Sequence, residues 1–302
     1  MNHKIVCACV LATWAAGVAV GASITQICPT NAKGNWGMGY VVTLGEGHFV
    51  LIDGNGDNGE DHLRLLDCIK KGTPEGMKPV VDCWVITHPH WDHIAGAALI
   101  ARTHAADLTV KEFLLNFPPL DRAIWPSDYD NLVRGWQQWL PDLLRAWPKA
   151  HIVKAKTGET YRAGGAALEI LHTQEDIPAE ELMELNNASL VFRMTLAGKT
   201  VLFTGDISGG KVCRRIKEKY GAKLKSDGFQ AAHHGWNTEC WMFYDEVNPS
   251  FVLWPTFTAD WDKIDEFPMT KRLKAEMADK SSVRKIYAAR GNDITVDLQD
   301  VK

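Results

Sequence analysis

An α+β domain, with strands and helices mixed along one chain, is what this 302-residue sequence predicts, and three observations carry the prediction. Short β-branched and aromatic runs bounded by glycine turns recur between Ile24 and Phe203. Apolar residues at helical spacing mark helices between them. One run, Val80 to Ile86, opens into a polar loop and then into the helix start Ile94 to Ile100. A chain of this length can bury a full core as one domain. Hydrophobic content of 46% and charged content of 23% exclude extended disorder. A net charge of −4 excludes the basic footprint of a protein that holds long duplex nucleic acid.

In chain order, residues 1–23 stand apart. His3 and Lys4 precede the apolar stretch Ile5 to Val20, and Gly21-Ala22-Ser23 supplies small residues where a signal peptidase could cut. A signal peptide or N-terminal anchor is expected there, with the catalytic domain occupying 24–302, and export follows, with the cytoplasm as the alternative. Seven cysteines show no CxxC spacing, so no disulfide framework is legible. From Gly37 to Gly54 the pattern reads as a β-hairpin ending in Asp53, and Asp61 to Lys71 fits an amphipathic helix.

The stretch Thr87-His88-Pro89-His90-Trp91-Asp92-His93 then places four metal-competent side chains within six positions directly after a buried-type strand. Pro89 keeps His88 out of helical geometry, so the loop can aim several ligands at one spot. Neutral imidazoles and a carboxylate suit Zn²⁺ or a similar borderline ion.

Val110 to Phe117 reads as a further strand, and Tyr129 to Leu143 as an apolar helix stripe interrupted near Pro141, rich in tryptophan. Its aromatics are expected in the core, with a lid or substrate wall as the alternative. Strands return over Leu168–Leu171, Ser189–Leu196 and Lys199–Phe203. Between them the acidic run Glu175 to Glu184 reads as a solvated helix face that would repel a passing polyanion. Asp206 emerges from a buried strand end, where a carboxylate is costly unless paired or metal-bound. Ala232-His233-His234-Gly235 reads as a strand ending in adjacent histidines, only one of which can share a face with the ligands. His234 is favoured as that ligand and His233 as a hydrogen-bond donor to substrate or leaving group, the exchanged assignment being the alternative. No Gly-x-Ser-x-Gly elbow or phosphate-cradling loop supplies a rival mechanism.

His-x-His-x-Asp-His at a strand-to-helix turn resembles the metallo-β-lactamase superfamily of two-metal hydrolases. Asn186-Asn187-Ala188-Ser189, Thr204-Gly205-Asp206 and His233-His234-Gly235, in this order, are similar to the branch typified by the hydrolase domain of the ComEC competence channel. The resemblance implies a four-layered αββα sandwich and two divalent ions, Zn²⁺ first, with Mn²⁺ or Fe²⁺ as alternatives. It assigns His88 and His90 to the first ion, Asp92, His93 and His234 to the second, and Asp206 as the bridge. His172 stands where a third histidine for the first ion would fall, the alternative being an ion held by His88, His90 and Asp206 with water; Asp53 lies beneath the metal loop, either orienting a ligand or serving only as a turn residue beside Gly54. Asp92 and His233 are the expected catalytic residues. The branch implies phosphodiester or phosphoester hydrolysis. A lactonase or β-lactamase-like ester or amide hydrolase is the alternative, and a non-catalytic metal-retaining module a further one. The expected substrate is a small molecule or short nucleotide; no stable protein partner is inferable.

Overall fold

The computed structural model describes residues 21–29, 37–122, 124–236, 239–240, 244–256, 268–279, 282–288 and 291–301. The apolar run 5–20 lies outside the described residues. Ala22, just ahead of the expected domain boundary, is fully buried, and its carbonyl accepts from Leu298 N.

The first half of the chain builds one mixed sheet. Strands β1 (Ser23–Gln26), β2 (Gly39–Gly45) and β3 (His48–Asp53) are antiparallel, and β4 (Val80–Val85), β6 (Glu112–Leu115) and β7 (His151–Lys154) follow in parallel, with β5 (Thr109–Val110) beside β4. The second half builds the other sheet. Strands β8 (Thr160–Ala163), β9 (Ala166–His172), β10 (Val191–Leu196) and β11 (Lys199–Phe203) run antiparallel, then β12 (Gly228–Gln230), β13 (Phe251–Trp254) and β14 (Lys285–Ala288) are parallel. β15 (Ile294–Asp297) returns to close the first sheet against β1.

Alternation along the strands explains the layers. Tyr40, Val42, Val50 and Ile52 from one sheet meet Phe192, Met194, Phe203 and Leu253 from the other in a central core. The opposite face of the first sheet, with Trp84 and Phe113, is covered by α1 (Asp61–Lys71), α2 (Trp91–His104) and α4 (Leu140–Ala146). The outer face of the second sheet packs on α5 (Gly210–Tyr220), α6 (Tyr244–Val247) and α7 (Pro268–Asp279). The result is two sheets flanked by helices, the αββα sandwich. Each fully buried large side chain contributes roughly 1.5–3 kcal/mol to it.

Two element readings are corrected. The aromatic stripe forms α3 (Pro126–Arg134) and α4 joined by a π turn at Gly135–Trp139, so the irregularity precedes Pro141. Proline offers no N–H to the turn before it, and the chain accommodates the missing bond by widening one turn. Trp139 and Trp147 enter the core against Trp84, whereas Trp125 and Tyr129 are exposed. The acidic run is not a helix but a capped 3-10 turn, Gln174–Asp176, followed by irregular chain. Three of its acids are paired, Glu175 with Lys154 at 2.5 Å, Asp176 with Lys219 at 3.4 Å and Glu181 with Arg215 at 2.7 Å, so this edge is not the bare negative face expected.

Candidate metal centre

The candidate ligands lie beyond the ends of strands from both sheets. His88, His90, Asp92 and His93 follow β4, Asp206 follows β11, and His234 follows β12. A backbone bond from Leu190 N to Thr87 O at 2.9 Å ties the two sheets at this rim.

Asp53 fixes the metal loop from beneath. Its fully buried carboxylate accepts from Thr87 N at 2.8 Å, from Thr87 Oγ1 at 2.8 Å and from His93 Nδ1 at 2.7 Å. Burial pushes the Asp53 carboxyl up, and these donors, with the nearby His93 charge, oppose that rise. Asp53 therefore orients His93, and the alternative of a mere turn residue is set aside. With Nδ1 engaged, the lone pair for a metal lies on Nε2.

The same division of ring nitrogens recurs. His88 Nδ1 lies 3.1 Å from Thr87 Oγ1 and 3.2 Å from Ser189 Oγ, and His234 Nδ1 donates to Pro255 O at 3.1 Å. The Nε2 atoms of His88, His93 and His234, and Asp206 Oδ1, are buried without a well-directed hydrogen bond, and those of His93 and His234 face only carboxylate oxygens. Polar atoms orphaned together at a strand rim fit a metal centre, since burial without partners is otherwise expensive.

Asp92, His93, Asp206 and His234 offer ligand atoms that all lie within 4.8 Å of one another. Asp206 Oδ2 is 3.1 Å from His93 Nε2 and 3.2 Å from His234 Nε2, and Asp92 Oδ2 is 3.4 Å from His234 Nε2. His88 and His90 extend this group, their ring centroids 4.7 Å apart, with His88 4.2 Å from His93. Electrostatics follow from the contacts. Burial lowers the proton affinity of His234, but Asp206 and Asp92 outweigh it and raise its pKa to about 9. Burial also opposes charge on His93, yet Asp206 and Asp53 carry it well above the ordinary histidine range. His88 goes the other way: burial and then the neighbouring His93 and His90 hold it neutral. Neutral imidazole is the ligand form.

Gly205 lets Asp206 reach this position. It sits at φ 52°, and a Cβ there would lie 2.8 Å from Ser189 Cβ. Ser189 Oγ in turn accepts from Asp206 N at 3.0 Å, and Gln230 bonds both Thr204 N and Gly205 O. Asn187 Oδ1 accepts from Gly209 N at 2.9 Å and holds the chain beyond.

The histidine pair departs from expectation. β12 stops at Gln230, and His233 and His234 sit in a tight turn with φ 51° and 54°, so strand alternation does not separate their roles. His234 nevertheless reaches the cluster. His233 Nε2 accepts from the Asn186 amide at 3.3 Å, which puts its proton on Nδ1, buried and unpartnered. His172 is not brought into the cluster. Its Nε2 faces Asn187 O at 3.4 Å and its Nδ1 faces Asp176 at 3.6 Å, on a segment bulged against β10.

Asp128 is a site residue that sequence reasoning missed. It stands on α3, 3.6 Å from His90 Nε2, with its other oxygen accepting from Leu185 N at 2.8 Å. The disulfide Cys213–Cys240, joining α5 to the chain just past the histidine turn, was also unforeseen. Trp91 and Trp236 flank the ligands in sequence and are half-buried, while Trp241 lies outside the described residues.

A family model described as the metallo-beta-lactamase superfamily matches residues 36–263. Among curated proteins no match is found. The metallo-beta-lactamase fold protein YhfI from Bacillus subtilis is similar over 91% of this chain and 99% of its own, at 14% identity and a TM-score of 0.52. A variant of the β-hydroxylase CmlA is similar over 92% of this chain at 13% identity and a TM-score of 0.51, and the chain spans 54% of its length. At such identities the likeness is one of fold.

Proposed function

Because the chain belongs to the metallo-beta-lactamase superfamily, we propose that it is a metal-dependent hydrolase of a phosphodiester or phosphoester, similar to the ComEC-like branch. The observation that carries this reading is the set of buried Nε2 atoms, without a well-directed hydrogen bond, that converge on Asp206 and Asp92. Asp92, His93 and His234 would hold one divalent ion, His88 and His90 another, with Asp206 between them. Such a pair of ions, Zn²⁺ by ligand type, acidifies a water and stabilises developing negative charge.

The chain's own residues do the rest. Asp53 and Pro255 O fix two imidazoles through Nδ1, so the ligand face needs no reorganisation. Asn186 holds His233 in the tautomer whose Nδ1–H can donate to a substrate or leaving oxygen. Phosphoester chemistry is favoured over lactone or β-lactam chemistry because His172 bonds Asn187 O instead of completing a three-histidine first site. A net charge of −4 favours a small or short nucleotide substrate over a duplex. The Cys213–Cys240 disulfide supports export, since such bonds persist in oxidising compartments.

The test is a panel of phosphodiester, phosphomonoester, lactone and β-lactam reporters on metal-reconstituted protein, with metal content measured in parallel. Phosphodiester turnover is expected, and Asp206→Ala should lose metal and at least about 10²-fold in turnover, as when one charge-stabilising group is removed. Turnover confined to lactones, or two tightly held ions in Asp206→Ala, would overturn the reading.

A further inference from the structure

A groove of about 630 Å³ opens beside the metal loop, between the end of β6, the π turn and the segment after β9. None of the candidate ligands lines it. It adjoins the loop through Gly135, where a Cβ would lie 2.6 Å from Pro89 Cβ and 3.8 Å from the Phe117 ring.

Its floor is a chain of oriented amides. Asn116, buried, donates to Ala155 O at 2.8 Å and accepts from Gln174 Nε2 at 3.2 Å; Gln174, also buried, accepts from Arg122 Nη2 at 3.1 Å. The chain ends in a guanidinium whose Nε is shielded from solvent without a partner. Lys154, the groove's other cation, is already bound to Glu175 at 2.5 Å. Among the described residues Arg122 has no carboxylate partner, and Gln174 holds its guanidinium in direction. The wall beside it is aromatic. Trp136 meets Phe117 edge to face at 5.8 Å, and its indole N–H donates to Pro118 O at 2.8 Å, so the ring is fixed in place.

A guanidinium presents parallel donors that match an oxyanion, and a fixed indole face presents a flat apolar surface. The volume suits a small molecule. We propose that this groove binds an aryl oxyanion, a carboxylate or phosphate on an aromatic frame, with the oxyanion at Arg122 and the ring against Trp136. The site does not depend on turnover at the metal centre. An aryl oxyanion reaches it either as the non-reacting part of the substrate or as a separate ligand.

Titration calorimetry with 1-naphthoate and its neutral isostere 1-naphthamide tests this on the protein as purified and again in excess EDTA. Naphthoate should bind about tenfold more tightly than the amide, as for a charge-assisted pair. Arg122→Gln should erase that preference, Arg122→Lys should retain part of it, and Trp136→Ala should weaken both ligands. Equal affinity for the two ligands overturns the proposal, as does an unchanged preference in Arg122→Gln. Loss of naphthoate binding in EDTA also overturns it, because the carboxylate would then sit at the metal. Competition with a turned-over phosphodiester identifies the groove with substrate binding, and naphthoate binding unaffected by saturating substrate identifies a separate ligand; both outcomes support the site, and neither requires the hydrolase reading to hold.

Discussion

From the end of β4 into the first turn of α2, four candidate ligands occupy six consecutive positions and one buried carboxylate, Asp53, holds the loop through Thr87 and His93. The turn at Ala232–Trp236 brings His234 to the same cluster by other means. Its residues His233, His234 and Gly235 all adopt positive φ, which costs the non-glycine pair roughly 1–3 kcal/mol each and persists only where the surroundings over-determine it. Those surroundings are long-range: His233 N donates to Gly205 O at 3.1 Å, His234 Nδ1 to Pro255 O, and the disulfide fastens the chain six residues on. Gly235 lies so close to Trp254 that a Cβ would sit 2.0 Å from its indole nitrogen. One half of the centre is therefore set by local chain geometry and a single carboxylate, and the other by tertiary fastening of a strained turn.

The difference predicts unequal fragility. Replacing both cysteines, Cys213→Ala with Cys240→Ala, releases a loop closed over a separation of 27 residues. Chain entropy alone makes that worth about 3.5 kcal/mol. Urea unfolding should show a loss of this size, and metal content should fall because His234 is freed while the β4 loop stays in place. A stability change near zero together with full metal retention would mean that the turn is held by its hydrogen bonds alone.

Asp53→Asn attacks the other half. An amide can still accept from Thr87 N, but its NH₂ would face His93 Nδ1–H, donor against donor, so the ring loses its orienting partner. Losing such a support typically costs 10–100-fold in metal affinity, roughly 1.4–2.7 kcal/mol. Competition with a chelator of known affinity measures it. The fold should change less than in the cysteine pair, since shape and burial are kept. Unaltered affinity would show that helix α2 by itself suffices to aim His93.

These two halves also explain what could be read from the sequence. The β4 loop was legible because strand, proline and ligands are contiguous, and the hairpin, α1 and the two-sheet core follow from local periodicity. Asp53 was visible only as one of two alternatives, because its role depends on a partner 40 residues away. Strand alternation does not separate the two histidines, since β12 ends at Gln230 and the backbone is left-handed at His233 and His234 themselves. The disulfide left no trace, its cysteines lying 27 positions apart with no motif. Asp128 stands on α3, where nothing in the spacing of acids distinguishes a residue that faces His90 from its solvated neighbours Asp121 and Asp130. His172 occupied the right place in chain order, and what removes it is tertiary: Asn187 O and Asp176 hold its ring.

That histidine supplies the mildest test, one that separates it from both halves of the centre. Burial pushes His172 from 6.5 down to about 4, against the upward pull of Asp176 at 3.6 Å and of the Asn187 carbonyl, while Lys219 and Arg215 push the same way as burial. The folded protein thus keeps the ring neutral over a range where the unfolded chain binds a proton. Stability from this source is complete above the unfolded value of 6.5 and is lost as pH falls toward 4. Between neutral pH and about pH 5 the loss comes to about 2 kcal/mol. His172→Gln should be less stable than the parent at neutral pH yet lose less stability on acidification, by about that amount, in urea unfolding at the two pH values. Its metal content should match the parent's, unlike that of the cysteine or Asp53 variants. If His172→Gln loses an ion, the ring reaches the centre after all, and the two-part division of the ligands has to admit a third support.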